Sequence, residues 1–242
     1  MIRFIDISNW QGGIDLPALL PGIDAVVCKA TQGKTFVDQY CDGWIQQCID
    51  DGKQWGFYHF AGDNDAAKEA DYFISQTMNY FGHGIPILDW EGVYDEYGNL
   101  IFDQSVSWVN TFVRRVHEKT GVWPLIYANP WRFNQGGVEP NCARWVAKYP
   151  AVTSPSFELA ETWSCPEADG NVVAWQFCSD GRISGYSDNL DCSLFYGNVD
   201  QWKAYAKGDN RDSDAANGDA GSNVSASVLE NDEYKVTIER KK

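Results

Sequence analysis

Basic residues are scarce in this chain: 19 Lys and Arg stand against 34 Asp and Glu, a formal charge of −15 over 242 residues. Nucleic acids and anionic membrane surfaces are bound through basic footprints, so the composition argues against both as partners. Long apolar runs are missing too. No stretch approaches 18 apolar residues, which leaves no candidate for membrane insertion as a helix. Only three His are present. The seven cysteines (Cys28, Cys41, Cys48, Cys142, Cys165, Cys178 and Cys192) contain no C-x-x-C pair, so neither a zinc site nor another metal or cofactor is expected. Their odd number and scatter read as free thiols of a protein folded in a reducing compartment. Cys41 and Cys48, about 10 Å apart along one helix, are too distant for a disulfide. The opening Met-Ile-Arg-Phe-Ile-Asp-Ile shows none of the segments of a secretory signal. The expectation is a protein made in the cytoplasm that leaves by another route, or one whose leader was removed.

What the chain does have is apolar and aromatic material, 44% hydrophobic with eleven Trp, enough for the core of one barrel- or sandwich-sized domain. Short strands alternate with amphipathic helices through the first half, the pattern of a parallel sheet. Strands are expected at 2–7, 25–30, 55–60, 85–90 and 124–128, with helices near 38–51, 66–80 and 104–120. In the last, Val106, Val109, Phe112, Val113 and Val116 recur at helical spacing. Three further strands, at 144–148, 172–177 and 191–195, are joined by turn-rich segments too short for full helices. The fold class is therefore α/β: an irregular TIM-like barrel of about five βα units followed by three helix-poor strands. Residues 1–207 form the expected catalytic domain. Residues 208–223, with no apolar side chain larger than Ala, read as a flexible acidic linker, and 224–242 as a tail or the start of a truncated second module.

The most informative segment is Gly84-Ile-Pro-Ile-Leu-Asp-Trp-Glu-Gly92. Strand side chains alternate faces, so Asp89 and Glu91 project together while Trp90 faces the opposite layer. Two acids at the mouth of a buried strand raise each other's proton affinity, and glycoside hydrolysis needs one carboxyl protonated and one charged. An isolated D-x-E is more often a solvated strand end. The other strand ends decide between these readings, because barrel chemistry collects where strand C-termini open. They supply Asp6; Lys29, Thr31 and Gln32; Tyr58 and His59; Tyr127 and Asn129; then Trp145, Trp175, Gln176 and Asp191. Four carboxylates with tyrosines and tryptophans around one rim point to a catalytic carbohydrate site. Blander roles also have candidates. Lys29 suits neutralising the acids as well as touching substrate, and His59 and His83 read as packed or exposed. Trp10, Trp123 and Trp131 suit packing as well as sugar stacking. Asp15, Asp24 and Asp38 read as helix caps or turn residues.

Seven segments, in this order, resemble glycoside hydrolase family 25, the Chalaropsis-type lysozymes or N-acetylmuramidases. They are Phe4-Ile-Asp-Ile-Ser-Asn-Trp-Gln11, Cys28-Lys-Ala-Thr-Gln-Gly33, Gly56-Phe-Tyr-His-Phe60, Pro86-Ile-Leu-Asp-Trp-Glu91, Leu125-Ile-Tyr-Ala-Asn129, Trp145-Val-Ala-Lys-Tyr149, and Trp175-Gln176 followed by Asp191. The resemblance covers about residues 1–206. It implies a metal-free enzyme that cleaves the β-1,4 bond between N-acetylmuramic acid and N-acetylglucosamine. It places the acid/base on Glu91, its partner on Asp89, further rim carboxylates on Asp6 and Asp191, and aromatic sugar contacts on Tyr58, Tyr127 and Trp145. Lys29 and Gln176 join these as candidate substrate contacts. Gln32 stands where many members carry Glu, and Asp188 competes with Asp191 for the rim position. The expected partner is the glycan strand of bacterial peptidoglycan, met by a monomer. A phage lysin, released when the host membrane is permeabilised, suits the leaderless start better than an autolysin does.

Two other functions compete. A chitinase-like N-acetylglucosaminide hydrolase would carry a longer acidic pattern, but the stretch upstream of Asp89 holds Ile85 and Ile87 instead of acids. A non-hydrolytic wall-binding module would not need the full acidic set. For a 2-acetamido sugar, i, i+2 carboxylates suit substrate-assisted catalysis better than a covalent glycosyl-enzyme, with Glu91 protonating the leaving oxygen and Asp89 orienting the acetamide.

Overall fold

The computed structural model describes residues 1–208. The expected linker beyond Gly208 and the tail at 224–242 lie outside the described residues. Eight strands form the closed part of the central sheet, with a ninth short strand, Phe36–Val37, antiparallel on the end of the second: β1 (Ile2–Ile7), β2 (Ala25–Gln32), β3 (Gln54–Phe60), β4 (Ile85–Asp89), β5 (Leu125–Ala128), β6 (Arg144–Ala147), β7 (Val172–Gly181) and β8 (Leu190–Phe195). They pair in the order β1-β8-β7-β6-β5-β4-β3-β2, and β2 returns to β1, so the sheet closes on itself. β1 to β7 run parallel to one another, while β8 is antiparallel to both β7 and β1. This is the irregular barrel expected of the strand–helix rhythm.

Three helices of full length follow β2, β3 and β4: α1 (Cys41–Asp50), α2 (Ala66–Thr77) and α3 (Val106–Thr120). Their ends follow from local chemistry. Ser105 accepts a hydrogen bond from the Trp108 N–H to start α3, and Gly121, at φ 76°, stops it in the left-handed region. Val109, Phe112, Val113 and Val116 make the buried face of α3, as their spacing requires. The segments after β1 and β5 hold only four-residue helices, Leu16–Leu19 and Pro130–Phe133, so the first and fifth βα units are abbreviated.

Alternation along the strands divides the apolar residues into two cores. Outward residues such as Ile5, Ile7, Leu88, Trp90 and Phe177 pack under the helices. Inward residues, among them Ile2, Phe4, Val27, Ile85, Ile87, Leu125 and Phe195, fill the barrel. The interior is tight enough that β3 needs a glycine. A Cβ on Gly56 would lie 3.0 Å from the Ile85 carbonyl oxygen and 3.2 Å from Ile87 Cδ1.

One element was not expected. Helix α4 (Val199–Lys207) follows β8 and closes the barrel floor, opposite the acidic rim. Its signals are local: Asn198 and Gln201 form a capping box, and Trp202, Tyr205 and Ala206 share a face. Trp202 packs edge-on against Phe4 and Phe195, with ring centroids 5.5 and 5.2 Å away, and its Nε1 donates to the Trp55 carbonyl at 3.1 Å. Trp202→Ala should therefore cost about 3–5 kcal/mol, the range for deleting a buried large aromatic. Denaturant unfolding monitored by far-UV circular dichroism would measure it, and a cost under about 1 kcal/mol would mean that α4 is not part of the barrel's core.

Candidate active site

The inward alternation that fills the barrel with apolar side chains continues to its mouth, where the residues become polar. β1 presents Asp6, β2 Lys29, β3 Tyr58, β4 Asp89, β5 Tyr127, β7 Gln176 and β8 Asp191. Together with Glu91, just past the end of β4, these line a cleft of about 290 Å³. Expected rim residues with the opposite facing point away from it. His59 is buried outside the barrel between Thr31 Oγ1 (2.8 Å) and Glu69 Oε2 (3.0 Å), a packed histidine that takes no part in the cleft. Trp175 also faces outward, donating from Nε1 to the Lys148 carbonyl. His83 is exposed.

The reversed strand explains the last carboxylate. Because β8 runs antiparallel, its first residues rather than its last reach the mouth, and Asp191 pairs directly with Asp6 across the β1–β8 seam. Asp188 lies in the preceding loop against a separate open depression with Gly12, Gly13 and Asp15. The choice between the two aspartates falls on Asp191.

Hydrogen bonds fix the floor of this cleft. Gln176 Oε1 accepts from the hydroxyls of Tyr127 (2.6 Å) and Tyr149 (2.5 Å), and its Nε2 donates to Asp6 Oδ2 (2.9 Å). With its carbonyl held by both tyrosines, Gln176 orients Asp6 and the tyrosines more than it serves substrate. Trp145, expected as a sugar contact, is only 3% exposed and does not border the open cleft. It sits beneath Tyr127, ring centroids 4.6 Å apart, and hydrogen-bonds Ser193. The cleft also gains residues that the strand-end reading passed over: Ser8, Trp10, Gln11, Phe60 and Tyr149. Trp10 is 84% exposed in the loop after β1, and Asp38 fixes that loop's base by accepting from the Asn9 N–H at 2.6 Å. Of the two roles open to Trp10, packing and sugar stacking, its exposed indole at the cleft fits the second. Trp131 is also exposed, whereas Trp123 stacks on His117.

The four carboxylates titrate together. Burial, then the charges of Glu91 and Asp6, push Asp89 well above the usual carboxylate range, and Lys29 only partly offsets this. Asp6 is raised by burial and by Asp191, against the stabilising hydrogen bond from Gln176. Burial and Glu91 raise Asp191 to about 6. Glu91 stands at the open edge of the cleft, and desolvation raises it too. Arg132 opposes that rise. Its side chain is buried, pairs with Asp103, lies over the Trp90 ring (5.2 Å) and rests against Gly92, the residue after Glu91. Lys29 Nζ donates to Gln32 Oε1 at 2.7 Å and stands over Phe60, so Lys29 both neutralises the cluster and lines the cleft. Among the described residues no group of His, Cys, Asp or Glu has the arrangement of a metal site.

The sequence matches the profile of glycosyl hydrolases family 25 over residues 5–186. The chain belongs to that family. It is 28% identical over 219 residues to the N,O-diacetylmuramidase of Chalaropsis sp., covering 86% of this chain and all of that protein. The autolytic lysozyme of Clostridium acetobutylicum is 25% identical over 200 residues, which span 80% of this chain and 56% of that longer protein. Among solved structures, the bacterial lysozyme from Streptomyces coelicolor superposes with a TM-score of 0.68 at 25% identity, over 85% of this chain and 97% of that one. The muramidase from Acremonium alcalophilum superposes at 0.66 and 27% identity, over 86% of this chain and the whole of that one. As a family member the chain is a glycoside hydrolase, and the upstream Ile87 that disfavoured a chitinase-like enzyme lies buried in the barrel.

Two measurements test the electrostatics. A carboxylate raised in the folded state holds more protons there than when unfolded, so its contribution to stability falls as pH rises from about 4 to about 6. Asp191→Asn removes that penalty. The variant should be about 1–3 kcal/mol more stable than the parent at pH 7, after allowance for partial exposure, and equal to it at or below about pH 4. An advantage that persists unchanged at pH 4 would assign the effect to packing instead. Arg132→Met removes the cation that favours ionised Glu91, so the alkaline limb of the kcat–pH profile should move upward by up to about one unit. A reduced kcat with an unmoved limb would make Arg132 merely structural.

Proposed function

We propose that this chain is a lysozyme that hydrolyses the β-1,4 bond between N-acetylmuramic acid and N-acetylglucosamine in peptidoglycan, with the substrate's own acetamide as nucleophile. The observation that carries this reading is Asp89 Oδ1, a buried carboxylate oxygen with no hydrogen-bond partner among the described residues, in the same cleft as solvent-facing Glu91. A buried acceptor left unpaired is costly, and a substrate N–H donor would satisfy it. The N–H of a 2-acetamido group has that chemistry, and its carbonyl oxygen is then turned toward the anomeric carbon.

The protons follow from the coupled titration. In the free cleft Asp89 shares the retained protons, because it is the more deeply enclosed of the i, i+2 pair. An acetamide N–H donating to Oδ1 favours ionised Asp89 and leaves the proton on Glu91. Glu91 then gives its proton to the leaving glycosidic oxygen as the acetamide oxygen bonds to the anomeric carbon. Asp89 stabilises the positive charge that develops on the resulting cyclic ion. Glu91, now a carboxylate, takes a proton from the water that opens this ion, so the carboxyl is regenerated and configuration is retained. Tyr127 and Tyr58 wall the reacting sugar, and Trp10 offers a face to a neighbouring ring. All of these groups come from one chain, which supports action as a monomer.

Glu91→Gln keeps the shape of the side chain and removes the transferable proton. Wall clearing, and release of muropeptides with new N-acetylmuramic reducing ends, should fall by about 10²–10⁴-fold, with a melting temperature no lower than the parent's because the charge that raises Asp89 and Asp191 is gone. Near-parental lysis by the purified variant would sink the assignment.

A further inference from the structure

Across Tyr149 from the catalytic cleft lies a second depression, of about 320 Å³, lined by Lys148, Tyr149, Pro150, Val152, Trp163 and Trp175, with Ser164 and Pro166 at its edge. Tyr149 borders both hollows, so the two adjoin. The walls are apolar and stiff. The Trp163 and Trp175 rings stand 6.0 Å apart at 50°, and the Trp175 Nε1–H is already donated to the Lys148 carbonyl, so the indole presents only carbon to the hollow. The Lys148 backbone is held on both sides, because its N–H also bonds the Gln176 carbonyl. Its ammonium is exposed at the edge of the hollow, with no carboxylate of the described residues paired to it.

This surface is poorly suited to another sugar, which carries a hydroxyl on most carbons and would find few partners here. It suits a chain of small methyl-bearing residues that also bears carboxylates. Muramic acid carries such a chain, an alanine-containing acidic peptide on its lactyl ether. We propose that this depression seats the peptide of the muramic acid residue at the scissile bond, with its methyl groups against Trp163, Trp175 and Val152 and a carboxylate on Lys148. The inference rests on the lysozyme reading and deepens it. The enzyme would recognise peptide-substituted glycan over bare glycan, and an otherwise strongly anionic protein would meet an acidic group through one well-placed cation.

The test compares soluble glycan fragments of equal length, with their peptides intact or removed by an amidase, scored by new reducing ends. The parent should favour the peptide-bearing fragments in kcat/KM by on the order of tenfold, the combined effect of a few buried methyl groups and one exposed ion pair. Lys148→Glu and Val152→Asp, both at exposed positions, should abolish most of that preference through KM. They should leave cleavage of peptide-free glycan within about twofold of the parent, and the loss with Lys148→Glu should shrink as salt rises. An equal loss on both substrates would make the hollow a glycan seat, and no loss on either would leave it without a role; each overturns the proposal. Cleavage of neither fragment by the parent would sink the lysozyme reading itself, and this inference with it.

Discussion

Everything at the mouth of this barrel depends on holding four carboxylates close together without letting them all ionise. Asp6 and Asp191 are placed opposite each other by backbone pairing, and Asp89 ends β4 opposite Tyr127, with Glu91 just beyond. Backbone ladders cannot relax to relieve repulsion between side chains. The relief therefore comes from retained protons, from the Gln176 amide on Asp6, and from Lys29 and Arg132 at the two sides. Each cation is restrained by other partners, Lys29 by Gln32 and Phe60 and Arg132 by Asp103 and Trp90. Neither forms a close ion pair with the carboxylates of the cleft, which would lock them as anions and remove the proton that the proposed acid catalysis needs.

The outer layer supports this arrangement. Trp90, between Asp89 and Glu91, is buried on the far side of the strand and donates from Nε1 to the Gln104 carbonyl at 2.7 Å. Gln104 in turn donates to the Gly62 carbonyl, and Gly62 N–H is held by Glu69, the partner of His59. A chain of buried and half-buried hydrogen bonds thus ties the residue between Asp89 and Glu91 to the end of β3. Buried polar groups satisfied in this way are costly to disturb, which keeps a site on strand ends as rigid as the strands themselves. The site is more strained electrostatically than the rest of the fold, a common exchange of stability for function.

The fold and much of the site were legible in the residues because both rest on periodicity. Seven of the eight strand regions end within a few residues of where alternation places them. β7 runs four residues past its expected end because bulges near Cys178 carry it on toward Gly181. Helix α4 is signalled by Asn198, Gln201 and Trp202, but the long polar segment that follows directly masks its pattern in the sequence. The two-stranded hairpin of Val93–Tyr94 with Leu100–Phe102 is too short and too exposed to leave a clear pattern.

By itself the sequence determined which residues could face inward, since alternation is a local property of an extended backbone, and it identified the acids through their place at strand ends. It also marked the family, because seven motifs in order carry more information than any one of them. Only the tertiary structure decided that β8 runs backwards, which brings Asp191 rather than Asp188 to the cleft. It also decided that Trp145 lies under Tyr127, that Gln176 is spent on the tyrosines and Asp6, and that Arg132 and Tyr149 belong to the site. Strand direction, depth below a neighbouring ring and the approach of side chains from distant loops all depend on how the barrel closes. No window of sequence contains that closure, because it joins residues at opposite ends of the domain.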